Sequence, residues 1–231
     1  MTEDRDLPIH ASFLESVASP RVQDLLTDAA EFTLDTITDV EVLKELPIVR
    51  TLLAVKSVRD RFLLRKTYRF FARLRDVPQA EREAFVQKMR ADPRRAQKIG
   101  ESFAVWLDRL DDEDKAELLA KVFELFAREQ IDFDQSARFA AVIDRAHVPY
   151  LLKIGTISFM AGQWHSNEDD IKSHLLAIGL LRVTGYGRDV VHQRELDRAE
   201  RDIDFIKMEL NEDGSFFQHY IIPEFEARKT R

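Results

Sequence analysis

The sequence predicts a mainly α-helical protein, built as a multi-helix array with a small C-terminal α+β appendage that is winged-helix-like. Gly and Pro number only seven each in 231 residues, too few for the many tight turns of an all-β protein. Leu, Ala, Glu and Arg, which favour helices, are abundant. Prolines and helix-capping side chains also recur between apolar stretches of helical period, and they divide the chain into successive helices.

The first 46 residues are predicted to form an acidic tail followed by one amphipathic helix. They contain eleven acidic and three basic residues. Ser19 and Pro20 are typical of a helix start, and the apolar residues from Val22 to Phe32 repeat with the helical period. We therefore expect a loose tail before Ser19 and an acidic helix after it.

Residues 47–160 are predicted to form the helical array. Leu46-Pro47 opens a long helix that reaches about Arg75, and Pro78 ends it because the residue before a proline avoids the α region. Each later helix begins at a proline or at a side chain that can cap its first turn. Those starts are Pro78, Asp92-Pro93, the Asp111–Asp114 cluster, Asp132 with Gln135 as a capping box, and Pro149.

Residues 161–231 have a different pattern, which predicts the winged-helix-like segment. A helix capped by Ser166 and Asp169 should end at Gly179 and lead into a β-prone stretch. The order of elements that follows is typical of a winged helix. It comprises a strand at 181–184, a charged loop at 188–202, a second strand at 203–210, a turn at 211–214 and a final helix.

The predicted winged-helix-like segment is not expected to read DNA directly. The first turn of its helix after Ser166 is Glu168, Asp169 and Asp170, which would repel phosphates where a recognition helix approaches the duplex. Only Lys172 and Arg182 are nearby cations. The sequence therefore favours a dimerisation or interaction module here.

Positive charge is concentrated in residues 50–75. Nine basic residues and one acid give this segment +8, whereas the rest of the chain sums to −15. On a helical projection at about 100° per residue, Arg61, Arg65, Lys66, Arg69 and Arg73 fall on one arc, and the apolar residues fall on the opposite one, namely Leu63, Leu64, Phe70, Phe71 and Leu74. The residues predicted to contact a partner are Arg59, Arg61, Arg65, Lys66, Arg69 and Arg73.

The basic arc has several possible partners. Its arginines could pair with carboxylates of the same chain, because a charged arc is usually a solvated face. Otherwise they could contact an acidic protein or a second copy of the chain, nucleic acid phosphates, or an anionic membrane surface. Arginine outnumbers lysine seven to two in 50–75, which favours forked contacts with a defined partner.

The sequence contains no motif that points to catalysis. Cys is absent, which excludes disulfides and thiol nucleophiles and suits a reducing, cytoplasmic compartment. The six His lack metal-ligand spacing, and no nucleophile motif or phosphate-binding loop is present. The acidic N-terminus and the lack of a long apolar run predict neither a signal peptide nor a transmembrane segment. We expect no enzyme activity, no cofactor and no metal.

Three elements resemble a recurring pattern in bacterial helical proteins of unknown activity. The matching runs are Pro47-Ile-Val49, Ser57-Val-Arg-Asp-Arg-Phe-Leu-Leu-Arg-Lys66 and Leu107-Asp-Arg-Leu-Asp-Asp112. Gly179-Leu-Leu181 and Leu210-Asn-Glu-Asp-Gly214 also resemble turns of winged-helix tails in such proteins. The resemblance implies a bacterial cytosolic origin and no activity. Together these observations predict a non-enzymatic interaction or regulatory protein, with a bacterial stress or defence module as its candidate setting, whose basic helix binds an acidic partner. The alternative is a nucleic-acid or anionic-membrane binder that uses the same helix.

Overall fold

The computed structural model describes residues 7–25, 45–53, 59–155, 169–191 and 201–229. The chain divides into two compact units, Met1–Asp144 and Arg145–Arg231. The prediction of a mainly helical chain is confirmed, and the sheet in the described residues has two antiparallel strands. The winged-helix-like arrangement is not confirmed.

The first unit consists of helices joined by short connections. Its predicted helix between 46 and 75 is found as two described pieces, because residues 54–58 lie outside the described part. The helices are α1 (Ile9–Ala18), α2 (Arg21–Asp24), α3 (Pro47–Leu53), α4 (Arg59–Leu74), α5 (Gln79–Arg90), α6 (Pro93–Arg109), α7 (Glu113–Ala127) and α8 (Phe133–Arg145), whose last residue begins the second unit.

Helix α1 lies in the segment that the sequence analysis assigned to a loose tail. Its Phe13 is 0% exposed, and the Phe13 ring centroid lies 5.7 Å from Phe70, 6.0 Å from Phe103 and 5.7 Å from Phe123. The tail prediction is wrong for these residues because Phe13 and Val17, one turn apart, form an apolar stripe that outweighs the acidic composition. The predicted helix after Ser19 is described only as far as Leu25.

Helix α7 is the central helix of the first unit. Every residue from Lys115 to Phe126 except Glu117 is buried, and the Phe123 ring contacts Phe103 at 4.8 Å between centroids. A helix that is buried on all sides must satisfy its polar side chains inside the protein. The phenylalanines of this cluster therefore form the core of the first unit.

The predicted helix starts in the first unit are confirmed by capping contacts. Asp92 Oδ1 accepts a hydrogen bond from Arg95 N at 3.1 Å, and Asp112 caps α7. In the capping box, Gln135 N donates to Asp132 Oδ1 at 2.7 Å while Asp132 N donates to Gln135 Oε1 at 3.1 Å. Local sequence thus sets where these helices begin.

The second unit contains short helices and one β-hairpin. Its elements are α9 (Val148–Leu152), a 3₁₀ turn (Lys153–Gly155), α10 (Asp169–Ala177), β1 (Leu181–Val191), β2 (Arg201–Leu210), α11 (Glu212–Phe216), a π-helical turn (Phe217–Ile221) and α12 (Ile222–Lys229). Gly179 has φ +87 and follows α10, as predicted for a helix stop. The predicted Ser166 cap lies outside the described residues.

The hairpin strands are longer than the sequence predicted. Leu181 pairs with Leu210, and the register continues to Val191 opposite Arg201. The predicted loop at 188–202 is therefore wrong at both ends, because backbone pairing extends through charged residues that have no apolar pattern. A register shift between Val183 and Gly185 leaves one extra residue on β1, which is a β-bulge.

Candidate interaction surface

Helix α4 carries the residues that the sequence predicted to contact a partner. Its apolar face is confirmed: Phe70, Phe71 and Leu74 are each 0% exposed, and the Phe70 ring lies 5.8 Å from Phe123 of α7. This packing fixes the rotation of α4 about its axis, and hence decides which of its basic residues face the protein.

Lys66 faces the protein interior. Its side chain is 2% exposed, and Nζ donates to the backbone carbonyls of Asp108 at 2.5 Å and Leu110 at 2.7 Å. These carbonyls lie at the C-terminal end of α6, where a cation stabilises both the orphan acceptors and the helix dipole. Lys66 therefore holds α4 to α6, and we do not include it in the proposed partner contact.

Arg73 also faces the interior, with 5% of its side chain exposed. Its Nη1 lies 2.6 Å from Asp76 Oδ2 and its Nη2 lies 3.2 Å from Glu124 Oε2. Glu124 on α7 is buried, and it also contacts Lys121 at 3.2 Å and Arg128 at 2.5 Å. A buried carboxylate needs such partners to stay ionised. Arg73 is therefore part of an internal ion network.

Arg65 and Arg69 lie at the other edge of the basic arc, where the helix meets solvent. Their side chains are 28% and 41% exposed. Both approach the same carboxylate, Glu113 at the start of α7: Arg65 Nη1 at 3.7 Å and Arg69 Nε at 3.6 Å. Both distances exceed a normal hydrogen bond. Glu113 thus lies within 4 Å of two guanidinium groups.

Phe62 extends this edge by one turn. It is 38% exposed, and Lys66 Nζ lies 5.1 Å from its ring centroid. Residues 62, 65 and 69 follow one another on a helix surface. We call Phe62, Arg65 and Arg69 the arginine edge. Arg59 and Arg61 belong to α4, but their side chains lie outside the described part, so their role stays a prediction.

Sequence analysis did not identify the most deeply buried cation of the first unit. Arg82 on α5 is 1% exposed, and it donates to the carbonyls of Val77 at 3.2 Å, Val17 at 2.5 Å and Ser19 at 2.9 Å. Burial lowers the pKa of its guanidinium, and nearby Glu83 raises it in part. No spacing distinguishes Arg82 from surface arginines, because its acceptors are backbone atoms and those of Val17 and Ser19 are far away in sequence.

No protein-family model, curated protein or solved structure matches this chain. In the described residues, no helix is both long and apolar enough to cross a membrane. Over the same ranges, no group of three His, Asp or Glu side chains is placed to hold a metal ion. An inference about function therefore depends on the geometry and charge of the surfaces above.

Proposed function

We propose that this protein is a non-enzymatic interaction protein that binds an acidic protein partner through the arginine edge. The observation that carries the proposal is the position of Arg69. Its side chain is 41% exposed, and it shares the carboxylate of Glu113 with Arg65, with its Nε 3.6 Å from Glu113 Oε2. A carboxylate from outside could bind the solvent-exposed part of the Arg69 guanidinium at hydrogen-bond distance, which Glu113 does not reach.

The residue types of the arginine edge favour a protein as the partner. Arginine and aromatic residues are enriched at the centres of protein interfaces. The planar guanidinium matches a carboxylate with two parallel hydrogen bonds. The net charge of −7 opposes general attraction to nucleic acid or to an anionic bilayer, so a local contact with one acidic surface fits better.

The test compares two double variants that change the net charge equally. Arg65→Glu/Arg69→Glu alters the arginine edge, and Arg90→Glu/Arg94→Glu alters two exposed arginines elsewhere. Fluorescently labelled poly-L-glutamate is titrated with each protein, and binding is followed by anisotropy at low and physiological salt. We expect binding to be lost only in the edge variant. Equal binding by both variants, or no binding by the wild type, would contradict the proposal.

Two further probes separate the alternative partners. Labelled duplex DNA and vesicles that contain an anionic phospholipid are titrated under the same conditions. Tighter binding of DNA or vesicles than of poly-L-glutamate, lost in the edge variant, would replace the acidic protein with that partner. Urea unfolding of the edge variant provides the folding control. It should stay close to wild type because exposed ion pairs contribute only about 0–1 kcal/mol.

A further inference from the structure

A second candidate site lies in the second unit, next to the end of the β-hairpin. A shallow cavity of about 550 Å³ is lined by residues of β1, α11 and the π-helical turn. This volume is in the range of small-molecule sites. The lining combines aromatic rings with groups of opposite charge, and the residues that matter are Arg182, Glu212, Phe216, His219 and Tyr220.

Two of these residues form an aromatic shelf. The rings of Phe216 and Tyr220 lie 4.7 Å apart between centroids at an interplanar angle of 32°. Tyr220 is 56% exposed, the highest value among the exposed large hydrophobic residues of the described part. It lies within the π-helical turn Phe217–Ile221, and such turns are frequent at functional sites. An exposed flat ring of this kind can stack on a planar ligand.

His219 provides a defined hydrogen-bond acceptor beside this shelf. Its Nδ1 lies 2.7 Å from the carbonyl oxygen of Ser215. A carbonyl can only accept, so Nδ1 carries the hydrogen, and in the neutral ring Nε2 then carries the lone pair. The side chain is exposed. The neutral imidazole therefore offers Nε2 to a donor group of a ligand.

Two charged side chains complete the lining. Arg182 Nε donates to Glu209 Oε1 at 2.7 Å, which holds the guanidinium, while 65% of the side chain remains exposed. An Arg presents five donors, so several remain for an anion. Glu212 is exposed and begins α11. A carboxylate in such a cavity can accept both hydroxyls of a ribose, as acidic residues do in dinucleotide sites.

We propose that this cavity binds a purine nucleoside monophosphate whose base carries an exocyclic amino group. The base stacks on the shelf of Phe216 and Tyr220, and its amino group donates to Nε2 of His219. Glu212 accepts the ribose hydroxyls, and Arg182 binds the phosphate. The proposal concerns the second unit alone, so it is independent of the arginine edge.

The test is a titration of the full chain with adenosine 5′-monophosphate, followed by calorimetry and by NMR shifts. We expect saturable binding. Tyr220→Ala should weaken it roughly 5- to 150-fold, the usual effect of removing one stacking ring, whereas Tyr220→Phe should retain it. Val105→Ala, which truncates an apolar side chain of comparable exposure (53%) in the first unit, is the matched control and should bind as the wild type does.

Two ligand controls assign the parts of the nucleotide. Adenosine should bind more weakly than the monophosphate, and inorganic phosphate more weakly still. No saturation up to about 10 mM, a range that covers even weak sites, would overturn the proposal. So would equal binding by wild type and Tyr220→Ala. Equal affinity for adenosine would overturn the assignment of the phosphate to Arg182.

Discussion

Arg82 gives the sharpest stability prediction, because it is a buried cation held only by backbone carbonyls. Replacing it with Met keeps an unbranched apolar stem and removes all three hydrogen bonds to Val17, Ser19 and Val77. Hydrogen bonds to a charged group contribute roughly 1.5–3 kcal/mol each. Removing the buried charge also recovers several kcal/mol of desolvation. The three hydrogen bonds together amount to about 4.5–9 kcal/mol, and the recovered desolvation offsets part of this, so we expect Arg82→Met to lower the free energy of unfolding by about 2–5 kcal/mol.

The assay is urea unfolding followed by the fluorescence of Trp106. The chain has two tryptophans, so Trp164→Phe is introduced throughout to leave Trp106, whose ring lies 4.7 Å from Phe103 in the first unit. Arg94→Met, an exposed site, is the matched control and should change the free energy of unfolding by less than about 0.5 kcal/mol. A loss below about 1 kcal/mol for Arg82→Met would refute the idea that these carbonyl contacts stabilise the fold.

Three further predictions concern packing, ionisation and backbone conformation. Gly100→Ala should destabilise the first unit by about 1–3 kcal/mol in urea unfolding, because a Cβ at this position would lie 2.7 Å from the backbone oxygen of His10. An unchanged urea midpoint would contradict the close approach of Gly100 to His10. The hydrogen bond from Lys115 lowers the pKa of Asp111. The stability that this hydrogen bond adds is therefore present above the unfolded pKa of about 3.9, and it is lost as the pH falls through the pKa of Asp111 in the folded protein. In Lys115→Gln, carboxyl NMR titration should show the pKa of Asp111 returning toward the ordinary range, and a still-lowered value would point to another cause. Glu129 has φ 58, a left-handed conformation that favours glycine. Glu129→Gly should therefore have a higher Tm than Glu129→Gln, since both variants remove the ion pair with Lys88; an equal or lower Tm would contradict the backbone effect.

Helix starts could be predicted from the sequence because they depend on neighbouring residues. Asp92 and Asp132 cap helices through atoms within three residues of themselves, so a short window of sequence contains the whole interaction. The hairpin is different: Val191 pairs with Arg201 through backbone groups, which leave no side-chain pattern. The order of helices and strands was compatible with a winged helix but did not determine how they pack.

Only part of the candidate surface could be predicted from the sequence, again because some of its contacts involve residues that are distant in the sequence. The sequence located the positive charge on one face of α4, but its use depends on which neighbouring helix covers each residue. At about 100° per residue, Lys66 and Arg73 project within about 20° of each other, on the side that meets Asp108 and Glu124. Arg69 projects farther round and stays 41% exposed. The adjacent residues Arg65 and Lys66 therefore differ in role: Arg65 is a candidate partner contact, whereas Lys66 is a buried structural cation.

The position of Phe13 in the core has a consequence for synthesis on the ribosome. Its ring contacts Phe123, which is synthesised about 110 residues after Phe13. The hydrophobic face of α1 is therefore made well before this contact can form. At roughly 5–20 residues per second, that interval is about 5–20 s. During this time the nascent chain presents the apolar face of α1 without its full set of aromatic partners, which makes α1 a poor place to attach an aggregation-prone fusion.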